Sequence, residues 1–122
     1  MKLLKCMKCG KIAVQLNNKP CPTMCCGEPM QELTPNTVDA AFEKHVPVVE
    51  REGNTVKVCV GSVAHPMLEE HWIMFIALET KNGWQYKELK PGEEPVAVFA
   101  VKEDDEVLGA YELCNLHGFW KA

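Results

Sequence analysis

No run of apolar residues approaches the roughly 20 that a membrane-crossing helix requires, so no such element is expected. Basic residues are too few and too scattered for a phosphate-binding surface. With a formal charge of -4, a nucleic-acid partner is not expected. Residues 1–10 hold no apolar stretch long enough for a secretory signal, and the expectation is a soluble, cytoplasmic chain. Internal repeats and low-complexity tracts are missing too. The 122 residues therefore suit one modest domain, or a small domain joined to a metal-stapled miniature.

Cysteine is abundant and odd in number: seven thiols cannot all pair, and an intracellular chain would hold disulfides poorly in any case. Metal ligation is the better use. Cys6, Cys9, Cys21, Cys25 and Cys26 crowd the start of the chain, which divides it into a unit at 1–36 and a second at 37–122. In the first, Cys6-Met7-Lys8-Cys9-Gly10 forms a turn whose two sulfurs can converge on one ion. Ile12, Val14 and Leu16 alternate as a short strand, and Asn17-Asn18-Lys19-Pro20 ends it. Cys25-Cys26-Gly27-Glu28-Pro29 supplies a second pair of sulfurs. So little apolar surface does not fold unaided, and a metal joining both ends would convert binding free energy into folding free energy. Zinc and iron both suit a tetrahedral thiolate set. The competing use of these cysteines is as small buried hydrophobes.

Residues 37–122 read as all-β: short apolar runs between turn signals at fairly even intervals, which imply an antiparallel sandwich. Strands are expected at 46–51 and 55–60 around Gly53-Asn54, at 71–80 before the hairpin signal Asn82-Gly83, at 95–101, and at 107–113. The run Trp72-Ile73-Met74-Phe75-Ile76-Ala77-Leu78 predicts a strand buried on both faces. Helix is confined to one or two turns within 37–44, with Asn36 as N-cap and Asp39 three residues on. Cys59, between Val58 and Val60, reads as packing. Trp72, Phe75, Trp84 and Phe99 read as core, and Met24, Met30, Met67 and Met74 as gap fillers.

The histidines carry the sharper signal. His45 follows Phe42-Glu43-Lys44, His65 and His71 bracket Pro66-Met67-Leu68-Glu69-Glu70, and His117 shares the closing Cys114-Asn115-Leu116-His117-Gly118 with a cysteine. All lie at strand ends or connections, which a sandwich gathers at one edge. Any one alone would read as a solvated or hydrogen-bonded side chain; four imidazoles with a thiolate make a metal-site inventory. Zinc prefers four ligands. Five donors favour a metal of higher coordination, and imidazole with thiolate suits iron, leaving a position open for substrate.

Two resemblances sharpen these readings. The CxxC at 6–9 followed by Cys-Cys-Gly-Glu-Pro-Met at 25–30 resembles the desulforedoxin domain. That implies one iron held by Cys6, Cys9, Cys25 and Cys26, with Cys21 either a competing ligand or a bystander. Glu43-Lys44-His45-Val46-Pro47-Val48, His65-Pro66-Met67, His71-Trp72-Ile73 and Cys114-Asn115-Leu116-His117-Gly118 resemble the motifs of the desulfoferrodoxin family of two-iron superoxide reductases, over nearly the whole chain. The resemblance implies a small desulforedoxin-like iron-binding domain followed by an immunoglobulin-like β-sandwich. It implies a second mononuclear iron with His45, His65, His71 and His117 around it and Cys114 on its axis. Superoxide would be reduced by one electron to hydrogen peroxide opposite the sulfur, without dismutation.

The same resemblance gives Lys44 the attraction of superoxide and the orientation of water for protonation, and lets Glu43 ligate ferric iron after product leaves. It also implies a rubredoxin-like electron donor and a homodimer. Without it, Glu43-Lys44 reads as an exposed charge pair. A thiolate opposite the open position donates electron density to the metal, and the amides of Leu116 and His117 are natural donors to that sulfur. Two other function classes compete. One is an iron-sulfur-ligated electron carrier or redox sensor, whose five-donor site is closed and structural; the other is a colourless zinc-binding or metal-storage module.

Overall fold

The computed structural model describes residues 2–122, and the chain divides into two units between Thr34 and Pro35. The first unit contains β1 (Lys2–Lys5), β2 (Ile12–Gln15), β3 (Met24–Cys25), β4 (Glu28–Pro29) and β5 (Gln31–Leu33). β1 lies between β2 and β5, antiparallel to both, while β3 and β4 form a separate hairpin. The strand expected at Ile12 stops at Gln15, and Leu16 is 95% exposed. β1 gives no period-2 signal, because its two apolar residues, Leu3 and Leu4, are adjacent and both buried.

The β3–β4 hairpin explains how adjacent cysteines share one site. Cys25 pairs with Glu28, so Cys26 and Gly27 make the whole turn, with φ of 53° and 75°. A two-residue turn with positive φ at both positions matches the twist of its strands. Glycine adopts that conformation freely and cysteine at a cost. The backbone bend at Cys26 is what brings its side chain beside that of Cys25.

The second unit contains one helical turn, α1 (Phe42–His45), and the strands β6 (Pro47–Glu52), β7 (Thr55–Val60), β8 (Ile73–Thr80), β9 (Gly83–Glu88), β10 (Val96–Ala100), β11 (Val107–Cys114) and β12 (Gly118–Lys121). They form two sheets, ordered β10-β7-β6 and β12-β11-β8-β9, with antiparallel pairing throughout. Period-2 alternation is clearest in β7, where Val56, Val58 and Val60 are buried and Thr55 and Lys57 are exposed. These valines pack with Ala97 and Phe99 of their own sheet and with Ile73, Ile76, Leu78, Ala110 and Cys114 of the other. Each fully buried aliphatic side chain contributes about 1.5–3 kcal/mol. Cys114 is thus part of the sandwich core. A register shift between Leu113 and Cys114 leaves Met74 as the extra residue of β8, so it is β8 that bends where it passes Cys114.

Several expectations are corrected. The helix keeps to the one turn allowed for it but lies at the far end of the expected stretch, at Phe42–His45, and its N-cap, Ala41, makes no side-chain bond. Asn36 is not a cap. Its φ is 61°, and its side-chain amide donates to the Lys121 carbonyl at 3.0 Å and accepts from the Lys121 amide at 2.8 Å, extending the edge of β12. The closing segment is not only a loop, because Gly118–Lys121 returns as β12. Trp84 lies 41% exposed on β9, and Met24 is 55% exposed rather than filling a gap. Trp72 and Phe75 are half-buried, while Phe99 is core as expected. Cys59 is half-buried between Val48 and Val96. No helix among the described residues is long and apolar enough to cross a membrane.

Candidate metal centres

Two of the histidines have their tautomer set by a carbonyl. His45 ends α1 with its Nδ1 2.7 Å from the Ala41 oxygen, and His65 Nδ1 lies 2.6 Å from the Pro66 oxygen. A carbonyl only accepts, so each Nδ1 carries the proton and each Nε2 presents a lone pair. Those two Nε2 atoms face each other at 3.2 Å, and His45 Nε2 is also 3.2 Å from His117 Nδ1. Lone pairs held so close repel unless a cation lies between them. His71 adds a buried Nε2 with no hydrogen-bond partner, a group that costs about 1–3 kcal/mol when left unsatisfied.

The four rings close a square in the order His45, His65, His71, His117. Successive centroids are 4.6–5.0 Å apart and successive planes meet at 74–86°. Burial holds the imidazoles below their ordinary pKa: His65 falls to about 4, and His45 and His71 are lowered. Around neutral pH those rings are uncharged and free to ligate.

The fifth donor is Cys114, 1% exposed, whose Sγ lies 3.4 Å from His65 Nε2. All five potential ligand atoms fall within 4.8 Å of one another. Burial pushes the Cys114 thiol up, while the amides of His117 and Leu116 pull it down; the His117 nitrogen is 3.4 Å from the sulfur. Inward nitrogens, an orphaned Nε2 and one sulfur suit iron. Glu43 and Lys44 are exposed in the turn that delivers His45. At His71 burial dominates and His117 adds to it, with Glu70 acting against them and Lys44 adding least; at His45 burial again dominates and Glu43 acts against it.

In the first unit, the sulfurs of Cys6, Cys9, Cys25 and Cys26 also lie within 4.8 Å of one another, with Cys9 to Cys25 at 3.6 Å. The Cys9 amide, 3.4 Å from Cys6 Sγ, is the main reason that Cys6 is lowered to about 6. The bond with Cys6 is the first of several that push Cys25 up to about 12. Four clustered sulfurs cannot all ionise unless a cation joins them. Cys21 is exposed, outside the group, with its sulfur 3.9 Å from the Pro22 oxygen.

A family model described as Desulfoferrodoxin matches residues 37–122. The desulfoferrodoxin of Nitratidesulfovibrio vulgaris is 51% identical over 98% of this chain and 94% of its own length. The chain belongs to the desulfoferrodoxin family. A desulfoferrodoxin homolog of Archaeoglobus fulgidus is 47% identical over 100% of this chain and 96% of its own. Among solved structures, the superoxide reductase of Treponema pallidum superposes with a TM-score of 0.83 at 44% identity, covering 98% of each chain. The superoxide reductase (1Fe-SOR) of Giardia intestinalis gives 0.56 at 40%, covering 66% of this chain and 95% of that one.

In this desulfoferrodoxin-family chain, three residues near the square escape sequence reasoning. Trp120 is fully buried and stacks on His45 at 4.9 Å, and its Nε1 donates to the His117 carbonyl at 2.9 Å. Glu112 is fully buried with neither carboxylate oxygen hydrogen-bonded. Asn115 joins the loop at 70–72 to the end of β11. Only Glu112 left a signal: it stands two residues before Cys114, on the same face of a strand whose other members are apolar.

Proposed function

We infer that this chain is a superoxide reductase, in which residues 37–122 carry the reaction and residues 1–36 a second metal group. Superoxide gains one electron and two protons and leaves as hydrogen peroxide; no dioxygen forms. The observation that carries the reading is the square of inward imidazole nitrogens with one buried sulfur. The likeness to the Treponema pallidum and Giardia intestinalis reductases supports it.

His45, His65, His71, His117 and Cys114 hold one iron in this reading, and Cys6, Cys9, Cys25 and Cys26 a second. Iron in the square supplies the electron and a Lewis-acidic position for the anion. The chain's own residues do the rest. Burial disfavours the charged form of His45, His65 and His71, so these three ligate without first losing a proton. The Cys114 thiol gives up its proton when a cation arrives, and the amides of Leu116 and His117 then stabilise the sulfur charge and temper its donation. Lys44 draws the anion. A unit-charge pair at roughly 4 Å is worth about 4 kcal/mol at an effective dielectric of about 20, so one local ammonium outweighs acids lying beyond the screening length of about 10 Å. Its N–H groups also orient the water that protonates product. Glu43 is the carboxylate that closes the site once product has left.

We further assign a rubredoxin-like carrier as electron donor, a homodimer as the working form and the cytoplasm as location. The Giardia relative is matched nearly whole by 66% of this chain, which supports treating the four-cysteine group as an accessory to turnover. The test is a pulse of superoxide on the reduced, iron-loaded protein, followed optically. Oxidation of the histidine-site iron with one peroxide per superoxide and no dioxygen is expected. Dioxygen release, or an iron that ignores superoxide, would overturn the assignment.

A further inference from the structure

His71 stands apart from the other histidines of the square. His45 and His65 each donate from Nδ1 to a carbonyl. His117 is tied by its amide to Cys114 Sγ and by its carbonyl to Trp120 Nε1. Among the described residues the His71 ring has no hydrogen-bond partner, and its Nε2 is buried. The hydrogen bonds of His71 among the described residues are those of its backbone, a reciprocal pair with Leu68 at 2.8 and 3.1 Å. The direction of that ring is set by the backbone beneath it and by edge contacts with the His65 and His117 rings, at 4.6 and 4.9 Å.

One side chain grips that backbone on both sides. Asn115 Oδ1 accepts from the Trp72 amide at 2.9 Å, and its Nδ2 donates to the Glu70 carbonyl at 3.0 Å. The Asn115 amide itself donates to the Trp72 carbonyl at 3.2 Å. Asn115 directly follows Cys114, so these bonds bracket His71 and fasten it to the strand end that bears the sulfur. We propose that Asn115 is the positioning residue for His71, setting the angle at which its Nε2 enters the square before any metal arrives. Asn115 touches neither substrate nor metal. The proposal rests on the metal-centre reading above.

The test uses the whole chain, metal-free, titrated with zinc against a chelator and followed by the ring nitrogen resonances of the histidines. All four histidines of the chain lie in the square, so the signal excludes the four-cysteine group. Asn115→Ala should weaken zinc binding about 10–100-fold, the usual effect of losing a residue that orients a ligand. In the metal-free chain it should move the His71 ring resonances while leaving those of His45 and His65 in place. Asn115→Asp keeps the acceptor for Trp72 and loses the donor to Glu70. It should fall between, and it carries the test if the alanine variant does not fold. Wild-type affinity with an unmoved His71, or equal disturbance of all four rings, overturns the positioning role. A wild-type chain that takes no zinc through its histidines would instead bring down the metal-centre reading itself.

Discussion

Glu112 offers a direct measure of how dry the interior beside the sulfur is. Both its oxygens are buried without partners, and burial raises its pKa from 4.5 to about 9. The folded chain therefore keeps this proton across neutral pH, whereas the unfolded chain loses it. Stability is unaffected by this group below about pH 4.5 and falls by about 1.4 kcal/mol per pH unit from there towards pH 9. At pH 7 the accumulated cost is about 3 kcal/mol, an upper bound because real interiors relax around charge. Glu112→Gln keeps the shape and removes the titration. The stability of the variant relative to wild type should thus rise by about 1.4 kcal/mol per pH unit between about pH 5.5 and 7.5. His45, His65 and His71, with lowered values, act in the opposite sense. The unfolded chain binds their protons more readily, so their contribution rises with pH through the ordinary histidine value, and it cancels in the difference. Urea unfolding followed by tryptophan fluorescence reads the correct unit, since Trp72, Trp84 and Trp120 all belong to the second. Parallel pH profiles would refute the claim that Glu112 is neutral in the folded chain.

Lys44→Ala should slow superoxide association about tenfold at low ionic strength and flatten its salt dependence; unchanged low-salt rates in pulse experiments would remove the steering role. Cys114→Ser should abolish the thiolate-to-iron absorption of the histidine site and leave the four-cysteine bands intact, which visible spectra of the iron-loaded variant would check. Gly61→Ala would set a Cβ on the Glu43 carbonyl oxygen and 2.8 Å from the Lys44 carbonyl carbon. The turn that carries both charged residues must then shift, at about 1–3 kcal/mol measured by urea unfolding and with slower superoxide capture.

The second unit was readable from its sequence where periodicity and turn chemistry agree. Val56, Val58 and Val60 alternate, Asn82-Gly83 turns the β8–β9 hairpin, and the strands fall close to their expected places. The clustering of the candidate metal ligands was readable for a different reason, since their chemical type is rare enough to stand out whatever the fold. Failures occur where a tertiary partner outbids a local preference. Asn36 has the composition of a helix cap, yet its amide finds the edge of β12, a strand too short to announce itself. Trp84 is apolar enough for a core position, but it sits on β9, whose six residues are all exposed. Asn115 carries no signal at all, because its value lies in three bonds to residues more than forty positions away.

The site needs two opposed environments at one point: a sulfur kept from water and an entrance open to an anion. β11 supplies the first by ending inside the core, so that Cys114 shares its surroundings with Val60 and Ile76. α1 supplies the second, and its brevity matters. In a strand, neighbouring side chains point to opposite faces, and Lys44 would face away from the opening that His45 lines. In a helix they lie about 100° apart, so within one turn His45 is buried while Glu43 and Lys44 remain in solvent beside it. A single helical turn inserted before β6 is therefore enough to leave two charged side chains in solvent beside a buried His45, where a strand would have turned Glu43 to the same face as His45.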